Sequence, residues 1–391
     1  MKTITLIKYV FFSICTIINS MFRESFLEIN VDRYQANIAY LKGLNDKNLI
    51  AVIKANGYGI IDYIAAKLAK DAGVSFFAVS SLSEALSLRD HDINDENILI
   101  LGYVPNEYLK LVKKRNLSIA SVSKDYIYGI DKEVLKGLKV HLKIDTGMNR
   151  IGLFKDEVKE VLEYLLANGA LVEGIFTHYA CSDEADDIFT LRQYNLFKEV
   201  LNSLDYKFKY IHTSNTDATV HFKDEVSNYV RCGLGLVGMS SYHTDLKPCI
   251  ALYTTIINTK TIKEAGAISY GQHYKLNQGD YISTLPIGYA DGVIRKNRGR
   301  KVYVEDEYAE IVGSICMDQM MIKTKHPHSV RTSVEIFGEH CSIFEMAKDL
   351  DTIVYEILTN LSDRLTRVYV NDKHEVVGIY TPRFNENELD D

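Results

Sequence analysis

The sequence lacks three features that would each point to a class of protein. It has no excess of basic residues, because the formal net charge is −7 and no basic stripe is visible, and this argues against nucleic-acid binding. Its six cysteines never have Cys-x-x-Cys spacing, so they indicate neither a zinc site nor a disulfide framework, and we expect no bound metal. Beyond the N-terminus no apolar run is long enough to cross a membrane. Scattered thiols are typical of a reducing compartment, so we expect a cytoplasmic protein.

The first 20 residues leave this expectation open. Lys2 and Lys8 precede an apolar stretch from Tyr9 to Ile18, which is the pattern of a signal peptide or a membrane anchor. Met21 offers a second start, in which case the preceding residues are an upstream artefact. Residues 1–23 are therefore interpreted as a hydrophobic leader or an artefact, and a real leader would mean a tethered or exported protein.

The remaining composition is that of an ordinary globular protein, with 47% hydrophobic and 25% charged residues. A chain of 391 residues suggests about two domains. Eight short apolar runs alternate with amphipathic segments of helical period, which predicts a (β/α)8 barrel of the α/β class over residues 24–245. The predicted strands are 49–55, 76–80, 97–103, 117–122, 138–145, 172–179, 210–215 and 230–238.

The alternation of apolar runs with helical segments ends after Lys247. Apolar strands follow one another with glycine-containing turns, which predicts a separate, mainly antiparallel β domain over residues 246–391. One helix is predicted inside it, over residues 342–361, and the chain ends in the acidic tail "ENELDD".

Polar side chains follow several of the predicted barrel strands. The first strand ends at Lys54, and the fifth to eighth are followed or opened by Asp145, His178, His212 and Arg231. Catalytic groups of a barrel project from the carboxyl ends of its strands. A lysine that faces such a ring of polar groups can form an imine with a carbonyl compound.

The segment "AVIKANGYG" resembles the lysine segment of the alanine racemase family, whose members use pyridoxal 5'-phosphate. Seven further blocks resemble that family in the same order: "HLKIDTGMNRIG", "GIFTHYACSDEAD", "IHTSNTDA", "VRCGLGLVG", "ISYGQHY", "LPIGYADG" and "GSICMDQMMI". The resemblance extends from about Leu27 to Tyr369. It implies a barrel followed by a β domain, and an enzyme that interconverts L- and D-alanine. In bacteria it further implies D-alanine for the cell wall.

The resemblance assigns a role in cofactor binding to one set of residues. Lys54 would carry the cofactor, His178 would lie close to its ring, and Arg231 would face the pyridine nitrogen with support from His212. The cofactor phosphate would be bound by the residues nearest to it: Tyr58, Asn215, Thr216 and the backbone amides around Leu234 and Gly235.

The resemblance assigns a second set to the substrate. Lys54 and Tyr270 would be the two bases, one for each face of Cα, and Tyr270 would reach the site from the other subunit of a head-to-tail homodimer. Arg150 and the Met317 amide would bind the substrate carboxylate. Further residues would support or line the site: Lys143, at a position that is carbamylated in some relatives, with Tyr289 and Asp318 near the entrance.

Two positions depart from the family pattern. Asp363 stands where the family usually has a tyrosine that narrows the pocket, and Ser314 stands where an arginine is common. That arginine normally faces an acid, and Asp183 is the candidate acid here. Because both changes remove bulk, serine or a broader range of amino acids is an alternative substrate. A pyridoxal-phosphate decarboxylase and a non-catalytic carrier of the cofactor are the alternatives from other classes.

Overall fold

The computed structural model describes residues 23–44 and 46–381, which fall into two compact units. The barrel unit consists of Tyr34–Lys247, and the sheet unit consists of the chain before Tyr34 together with the chain from Pro248 onward. The predicted leader and the acidic tail lie outside the described residues. In the described part of the chain, no helix combines the length and the apolar character needed to cross a membrane.

The strands are named here in chain order. They are β1 Phe26–Asn30, β2 Asn48–Val52, β3 Phe76–Val79, β4 Asn97–Ile100, β5 Ser118–Ala120, β6 Lys139–Lys143, β7 Leu171–Phe176, β8 Tyr210–His212, β9 Tyr229–Cys232, β10 Ile250–Thr255, β11 Asn258–Thr261, β12 Gly266–Ile268, β13 Tyr274–Leu276, β14 Tyr281–Leu285, β15 Lys301–Val304, β16 Glu307–Val312, β17 Met320–Thr324, β18 Ser333–Phe337, β19 Thr366–Val370 and β20 Val376–Tyr380.

The helices are named in the same way. They are α1 Val31–Gly43, α2 Asp62–Asp71, α3 Leu82–Asp90, α4 Leu109–Lys114, α5 Lys124–Tyr128, α6 Lys132–Leu135, α7 Val158–Ala167, α8 Ile188–Asn202, α9 Thr216–His221, α10 Ile343–Leu350 and α11 Val354–Thr359. Single 3₁₀ turns lie at Asn106–Tyr108, Lys155–Glu157, Leu234–Val237, Tyr270–Gln272, Tyr289–Asp291 and Arg295–Asn297.

Strands β2 to β9 close into a parallel barrel in chain order, which confirms the predicted fold class. Each of the eight predicted runs overlaps one of these strands. Their residues are buried almost without interruption, as expected for parallel strands that are covered on both faces. One buried cluster joins side chains of four strands: Ile50, Val52, Phe76, Ala78, Leu99 and Tyr210. The eighth run was predicted too long, because the strand ends at Cys232 and a 3₁₀ turn follows.

The sheet unit contains a ten-stranded sheet in the order β11-β14-β17-β16-β15-β18-β10-β1-β19-β20 and a separate β12–β13 hairpin. Its ladders are antiparallel except for the parallel pair of β1 with β19, so the antiparallel-rich second domain is confirmed. Strand β1 lies between β10 and β19. The barrel was predicted to begin at residue 24, but Phe26–Asn30 pairs in this sheet.

The single helix predicted over residues 342–361 is two helices, α10 and α11. The chain leaves α10 at Asp351, which has the left-handed dihedral angle φ of 56°. Apolar residues continue with helical spacing on both sides of this break, so periodicity alone did not reveal it.

Candidate active site

Lys54 follows β2 directly and opens an unusual turn, which we call the lysine turn (Lys54–Tyr58). The dihedral angle φ is 52° at Ala55, 56° at Asn56, 62° at Gly57 and 57° at Tyr58. A left-handed residue other than glycine costs about 1–2 kcal/mol. Such strained backbone is typically found at functional sites, where the surrounding structure maintains it.

The carboxylate of Glu84 holds the lysine turn in place. Its Oε1 accepts a hydrogen bond of 2.8 Å from the Ala55 amide, while its Oε2 accepts from the amides of Ser80 at 2.7 Å and Ser81 at 3.2 Å. Ser81 and Glu84 also form the capping box of α3. Sequence reasoning missed Glu84: the Ser-x-x-Glu pattern indicates the cap, but nothing local indicates its bond to a turn 29 residues earlier.

Lys54 is exposed as a residue, yet its surroundings disfavour the charged form of its amine. Partial burial lowers its pKa, and the nearby positive charge of Arg150 lowers it further, whereas Glu84 has the opposite effect. A lower pKa increases the fraction of free amine, which is the form that attacks a carbonyl carbon or accepts a proton.

Arg231 on β9 is a buried cation whose side chain joins the carboxyl ends of β7 and β8. The four N–H protons of its Nη atoms serve five acceptors, two of which share a proton of Nη2: the carbonyls of His212 (2.7 Å), Thr177 (2.7 Å) and Thr213 (2.8 Å), and the Nδ1 atoms of His212 (2.9 Å) and His178 (3.2 Å). All five acceptors are neutral. Desolvation lowers the pKa of Arg231 to about 10, so it stays protonated near neutral pH. Within residues 23–44 and 46–381, no acceptor is recorded for its Nε–H.

Two histidines that accept from Arg231 are held neutral. Burial and the Arg231 charge keep the pKa of His178 and of His212 well below the usual value. Because His212 accepts through Nδ1, its proton is on Nε2, which donates to Nδ1 of His141 at 3.0 Å. His141 is fully buried, burial lowers its pKa to about 3, and its Nε2 has no partner in the described structure. Sequence reasoning missed His141, because a histidine inside a strand gives no signal of its own.

The residues predicted to bind phosphate lie around the start of the β9 loop. Tyr58 is buried, and a Cβ atom on Gly233 would lie 2.2 Å from its hydroxyl oxygen, so only glycine permits this approach. The Gly235 amide donates to Oγ1 of Thr216 at 3.1 Å. Asn215 also caps α9, because its Oδ1 accepts from the Ala218 amide at 3.1 Å, and this cap positions the adjacent Thr216.

Lys143 on β6 is buried, and its Nζ donates to the Ile144 carbonyl at 3.2 Å. Burial lowers its pKa to about 7, with a further contribution from Arg231, so much of this amine is neutral near pH 7. In the loop that follows, Asp145 Oδ1 accepts from the amides of Gly147 (3.0 Å) and Asn149 (3.1 Å). This loop leaves Arg150 exposed.

Gln193 on α8 is a second supporting residue that sequence reasoning missed. Its Nε2 donates to the carbonyl of His178 and to Oγ1 of Thr146, both at 3.0 Å, and its Oε1 accepts from the Ala180 amide at 2.9 Å. The side chain is fully buried and therefore fixes the loop after β7 that carries His178. A glutamine on an amphipathic helix resembles a surface residue, so no pattern indicated this role.

Tyr270 lies in the sheet unit with 74% of its surface exposed. Two serines hold its turn: Ser314 Oγ donates to the Tyr270 carbonyl at 2.9 Å, and Ser269 Oγ donates to the Ser314 carbonyl at 2.6 Å. Ser314 is buried. Ser314 thus supports the turn that carries Tyr270, a role that was not predicted when Ser314 was interpreted as an entrance residue.

Hydrogen bonds connect the segments that carry the other predicted residues of the sheet unit. The amides of Tyr289 and Ala290 donate to the carbonyls of Cys316 (3.1 Å) and Met317 (3.0 Å). Within the described part of the chain, no acceptor is recorded for the Met317 amide. Asp318 accepts from Arg364 at 2.7 Å. The two remaining carboxylates are exposed: Asp363 lies 3.6 Å from Arg367, and Asp183 is in the barrel unit.

The structure therefore brings one group of predicted residues together within the barrel unit. Arg231 contacts His178 and His212 directly, and charge interactions connect Lys54, Lys143 and Arg150 to this group. The predicted residues of the sheet unit are Tyr270, Tyr289, Ser314, Met317, Asp318 and Asp363.

Comparison with known proteins gives the same family for both units. Residues 29–241 match the model of the alanine racemase N-terminal domain, and residues 249–369 match that of the C-terminal domain. Alanine racemase 1 of Bacillus subtilis (strain 168) is 35% identical over 367 residues, which cover 90% of this chain and 94% of that protein.

Solved structures agree with the sequence match. The alanine racemase of Bacillus anthracis with bound L-Ala-P has a TM-score of 0.86 and 31% identity, covering 92% of this chain and 98% of that one. The histidine racemase of Leuconostoc mesenteroides subsp. sake has a TM-score of 0.83 and 27% identity, covering 90% of this chain and 99% of that one.

Proposed function

Because this chain belongs to the alanine racemase family, we propose that it interconverts L- and D-alanine with pyridoxal 5'-phosphate bound at Lys54. Lys54 and Tyr270 are the two acid–base groups of this proposal, and each serves one face of the substrate Cα. When bound, the cofactor delocalises the negative charge left by removal of the Cα proton.

The observation that carries the proposal is the environment of Arg231. This buried cation has only neutral recorded partners, and its Nε–H is the donor that remains for the pyridine nitrogen of the cofactor. An arginine donates a hydrogen bond but does not give up its proton. Arg231 would therefore leave the ring nitrogen of a bound cofactor unprotonated, and the weaker electron withdrawal would favour return of the proton to Cα over transamination.

The remaining donors fit the phosphate of the cofactor. The Tyr58 hydroxyl, the Thr216 hydroxyl and the Leu234 amide are all donors, and Gly233 lets the first of them approach the loop after β9. Phosphate binding by the loops after the last two strands is common in barrels. The hydroxyl of Thr216 accepts from the Gly235 amide, so its own proton can be donated to a phosphate oxygen.

The substrate carboxylate is assigned to Arg150 and the Met317 amide. Arg150 is exposed at the end of an ordered loop, and no acceptor for the Met317 amide is recorded among the described residues. With the carboxylate held, Lys54 would serve one face of Cα and Tyr270 of the partner subunit the other. A proton that leaves to one group and returns from the other inverts the configuration.

We further propose that two copies of the chain form a homodimer with shared sites, in which Tyr270 of the partner subunit serves the Lys54 of each chain. The exposure of Tyr270 supports this assignment, because its ring is accessible to another subunit while Ser314 holds its turn, and aromatic residues are enriched in interfaces.

Serine is the alternative substrate. Asp363 and Ser314, the two positions that depart from the family pattern, support this alternative unequally. The Ser314 hydroxyl is used to hold the Tyr270 turn, which favours a supporting role for this residue. Asp363 is exposed and is therefore the departure on which acceptance of serine would depend. A pocket seldom rejects one extra hydroxyl by more than about 100-fold, so the comparison must be quantitative.

The test is racemisation of L-alanine and L-serine, measured side by side as kcat/KM on the purified chain with pyridoxal phosphate. Alanine ahead of serine by at least about 10-fold supports the proposal. Serine equal or ahead contradicts the alanine assignment, and the variant Asp363→Tyr then shows whether Asp363 is responsible.

Two controls separate the other classes. Lys54→Ala should lose both racemisation and the visible absorbance of the lysine-bound cofactor, which a protein that merely purifies with a contaminating racemase would not do. Release of CO₂ from the amino acid without racemisation would identify a decarboxylase. Cofactor binding without either reaction would identify a carrier.

A further inference from the structure

The sheet unit holds a cluster of two histidines and two glutamates that the proposed reaction does not use. We call it the Glu/His cluster, and its members are Glu305, Glu307, His326 and His328. Glu305 and Glu307 flank the turn between β15 and β16, and the two histidines lie in "KHPHSV" just after β17. Ligand atoms of Glu307, His326 and His328 all lie within 4.8 Å of one another.

The geometry of the cluster is close to that of a bound ion. His328 Nε2 lies 2.9 Å and His326 Nε2 lies 3.7 Å from Oε1 of Glu307. Two ligands of a tetrahedral zinc ion are separated by about 3.4 Å, given metal–ligand bonds of about 2.1 Å. Small side-chain rotations therefore suffice, and His326 can make them because 60% of its side chain is exposed.

Glu305 orients the buried histidine for such a role. The side chain of His328 is 1% exposed, and its Nδ1 lies 2.9 Å from Oε2 of Glu305. Metal-binding histidines usually donate their other ring N–H to a carboxylate, which fixes the tautomer and makes the ligating nitrogen more basic. With its Nδ1 proton on the Glu305 side, His328 would direct the Nε2 lone pair at a bound ion once the proton between Nε2 and Glu307 has been displaced.

We propose that Glu307, His326 and His328 bind one divalent transition-metal ion, with zinc as the ion that their chemistry favours. Two imidazoles and one carboxylate are a common zinc ligand set that leaves the fourth position to water. Calcium and magnesium require oxygen ligands and fit poorly here. Binding displaces the proton shared between His328 Nε2 and Glu307, and that proton passes to solvent.

The expectation of no metal site rested on cysteine spacing, and these ligands escaped it because they come from two separate segments. A bound ion would join the β15–β16 turn to the chain after β17. The backbone already connects them weakly, since the Lys325 amide lies 3.2 Å from both carboxylate oxygens of Glu307. We therefore expect zinc to raise the unfolding temperature of the protein.

The test is titration calorimetry with zinc chloride on the cofactor-loaded, tag-free protein after removal of metals by a chelator. We expect one zinc ion per chain, and the variant His326→Ala should weaken its binding by more than about 100-fold. His374→Ala is the matched control, because this exposed histidine also pairs with a glutamate, Glu28, at 3.4 Å. The control removes one imidazole but should leave zinc affinity unchanged.

The same comparison excludes zinc bound to thiols or to the cofactor, because both variants keep those groups. If His326→Ala fails to fold, Glu305→Gln replaces it and should weaken zinc binding by about 10–100-fold, since only the orienting carboxylate is lost. Zinc that binds equally to the wild type and to His326→Ala, or does not bind to either, overturns the proposal. In that case His328 serves as a hydrogen-bonded bridge between two carboxylates.

Discussion

At the scale of single residues, three cationic side chains of the barrel unit have surroundings that disfavour their charge. Lys54, Lys143 and Arg231 all have a lowered pKa, and desolvation is the main cause in each case. A region that disfavours protonated groups is suited to an anionic cofactor and a substrate carboxylate, since both supply the missing negative charge. The types of these residues follow from the sequence, but their altered ionisation does not, because it depends on burial by distant segments.

At Arg231 we predict that the variant Arg231→Lys lowers both stability and rate. A lysine has three donors and cannot serve five acceptors, so buried carbonyls lose their partners at a cost of about 2–4 kcal/mol in the free energy of unfolding. The loss of the donor at the cofactor ring should lower kcat for alanine by about 100-fold or more.

Arg89→Lys is the matched control for this variant. Arg89 is also buried, and it too donates to several backbone carbonyls: those of Arg115, Ile93, Glu96 and Asn116. Urea unfolding should show a similar loss for both variants, whereas only Arg231→Lys should lose activity. An unchanged kcat in Arg231→Lys would contradict the role assigned to Arg231.

At Lys143 we predict a pH-dependent effect of Lys143→Met on stability. Its pKa of about 7 in the folded state lies below the ordinary value of 10.5, so the unfolded chain binds more protons between these pH values. Wild-type stability should therefore rise with pH across this window, as the cost of a buried ammonium disappears.

Lys143→Met removes that cost, so its advantage should be largest below pH 7 and vanish near pH 10.5. The shift corresponds to an advantage on the order of 3–5 kcal/mol. Urea unfolding of both proteins at a series of pH values measures it. A difference that does not change with pH would show that Lys143 carries no such penalty.

At the scale of elements, the lysine turn depends on α3. The first turn of α3 satisfies its own capping box and also provides the acceptor for the Ala55 amide, through the single carboxylate of Glu84. Glu84 thereby connects the lysine turn, which follows β2, to the first turn of α3. Loss of this carboxylate should relax the strained backbone.

We predict that Glu84→Ala weakens cofactor affinity by about 10-fold, because the lysine turn loses a charge-assisted bond worth about 1.5 kcal/mol. Ser81→Ala is the control, since it removes the serine part of the capping box and leaves the bond from Ala55 to Glu84 intact. It should cost about 1 kcal/mol of stability with no change in cofactor affinity. Spectroscopic titration with pyridoxal phosphate checks this, and equal affinities in the two variants would contradict it.

Elements were predictable where the sequence pattern is local. The eight barrel strands and helices such as α7 and α8 follow from apolar runs and helical periodicity over 10 or more residues. Strand β1 did not follow, because "FLEIN" has only five residues and its partners are β10 and β19, far along the chain. The break between α10 and α11 did not follow either, since it depends on one left-handed residue, Asp351.

Residues of the candidate site were likewise predictable only where the sequence pattern is local. Lys54 and Arg231 stand in extended motifs, whereas Glu84, His141 and Gln193 act through hydrogen bonds to residues 29, 71 and 15 positions away, respectively. A supporting side chain of this kind has no sequence neighbour that reveals its partner. Folding alone brings the two together.

At the scale of the whole molecule, the proposed homodimer makes a prediction about mixed subunits. Lys54→Ala and Tyr270→Phe should each be nearly inactive alone. If each site combines Lys54 of one chain with Tyr270 of the partner subunit, a hybrid dimer contains one intact site and one doubly altered site. An equal mixture allowed to exchange subunits should therefore recover about one quarter of wild-type activity.

The hybrid test has a clear contrary outcome. If both residues of a site come from the same chain, mixing the two variants restores nothing, and the mixture shows only the average of the two residual rates. Subunit exchange must be verified with chains of different mass, so that a failure to recover activity reports the site and not the mixing.

The position of β1 has a consequence for how the chain folds during synthesis. Phe26, Leu27 and Ile29 are nearly or fully buried in the sheet, yet this strand leaves the ribosome before all of its partners. Both neighbours arrive late, β10 beginning at Ile250 and β19 at Thr366. Until then the barrel unit can form, because it depends on local βα contacts. The apolar strand β1 remains with both edges unpaired during this time. The first of the described strands to be made is thus among the last to pair, and a ribosome that stops short of β19 releases a chain in which β1 has an unpaired edge that can bind other chains.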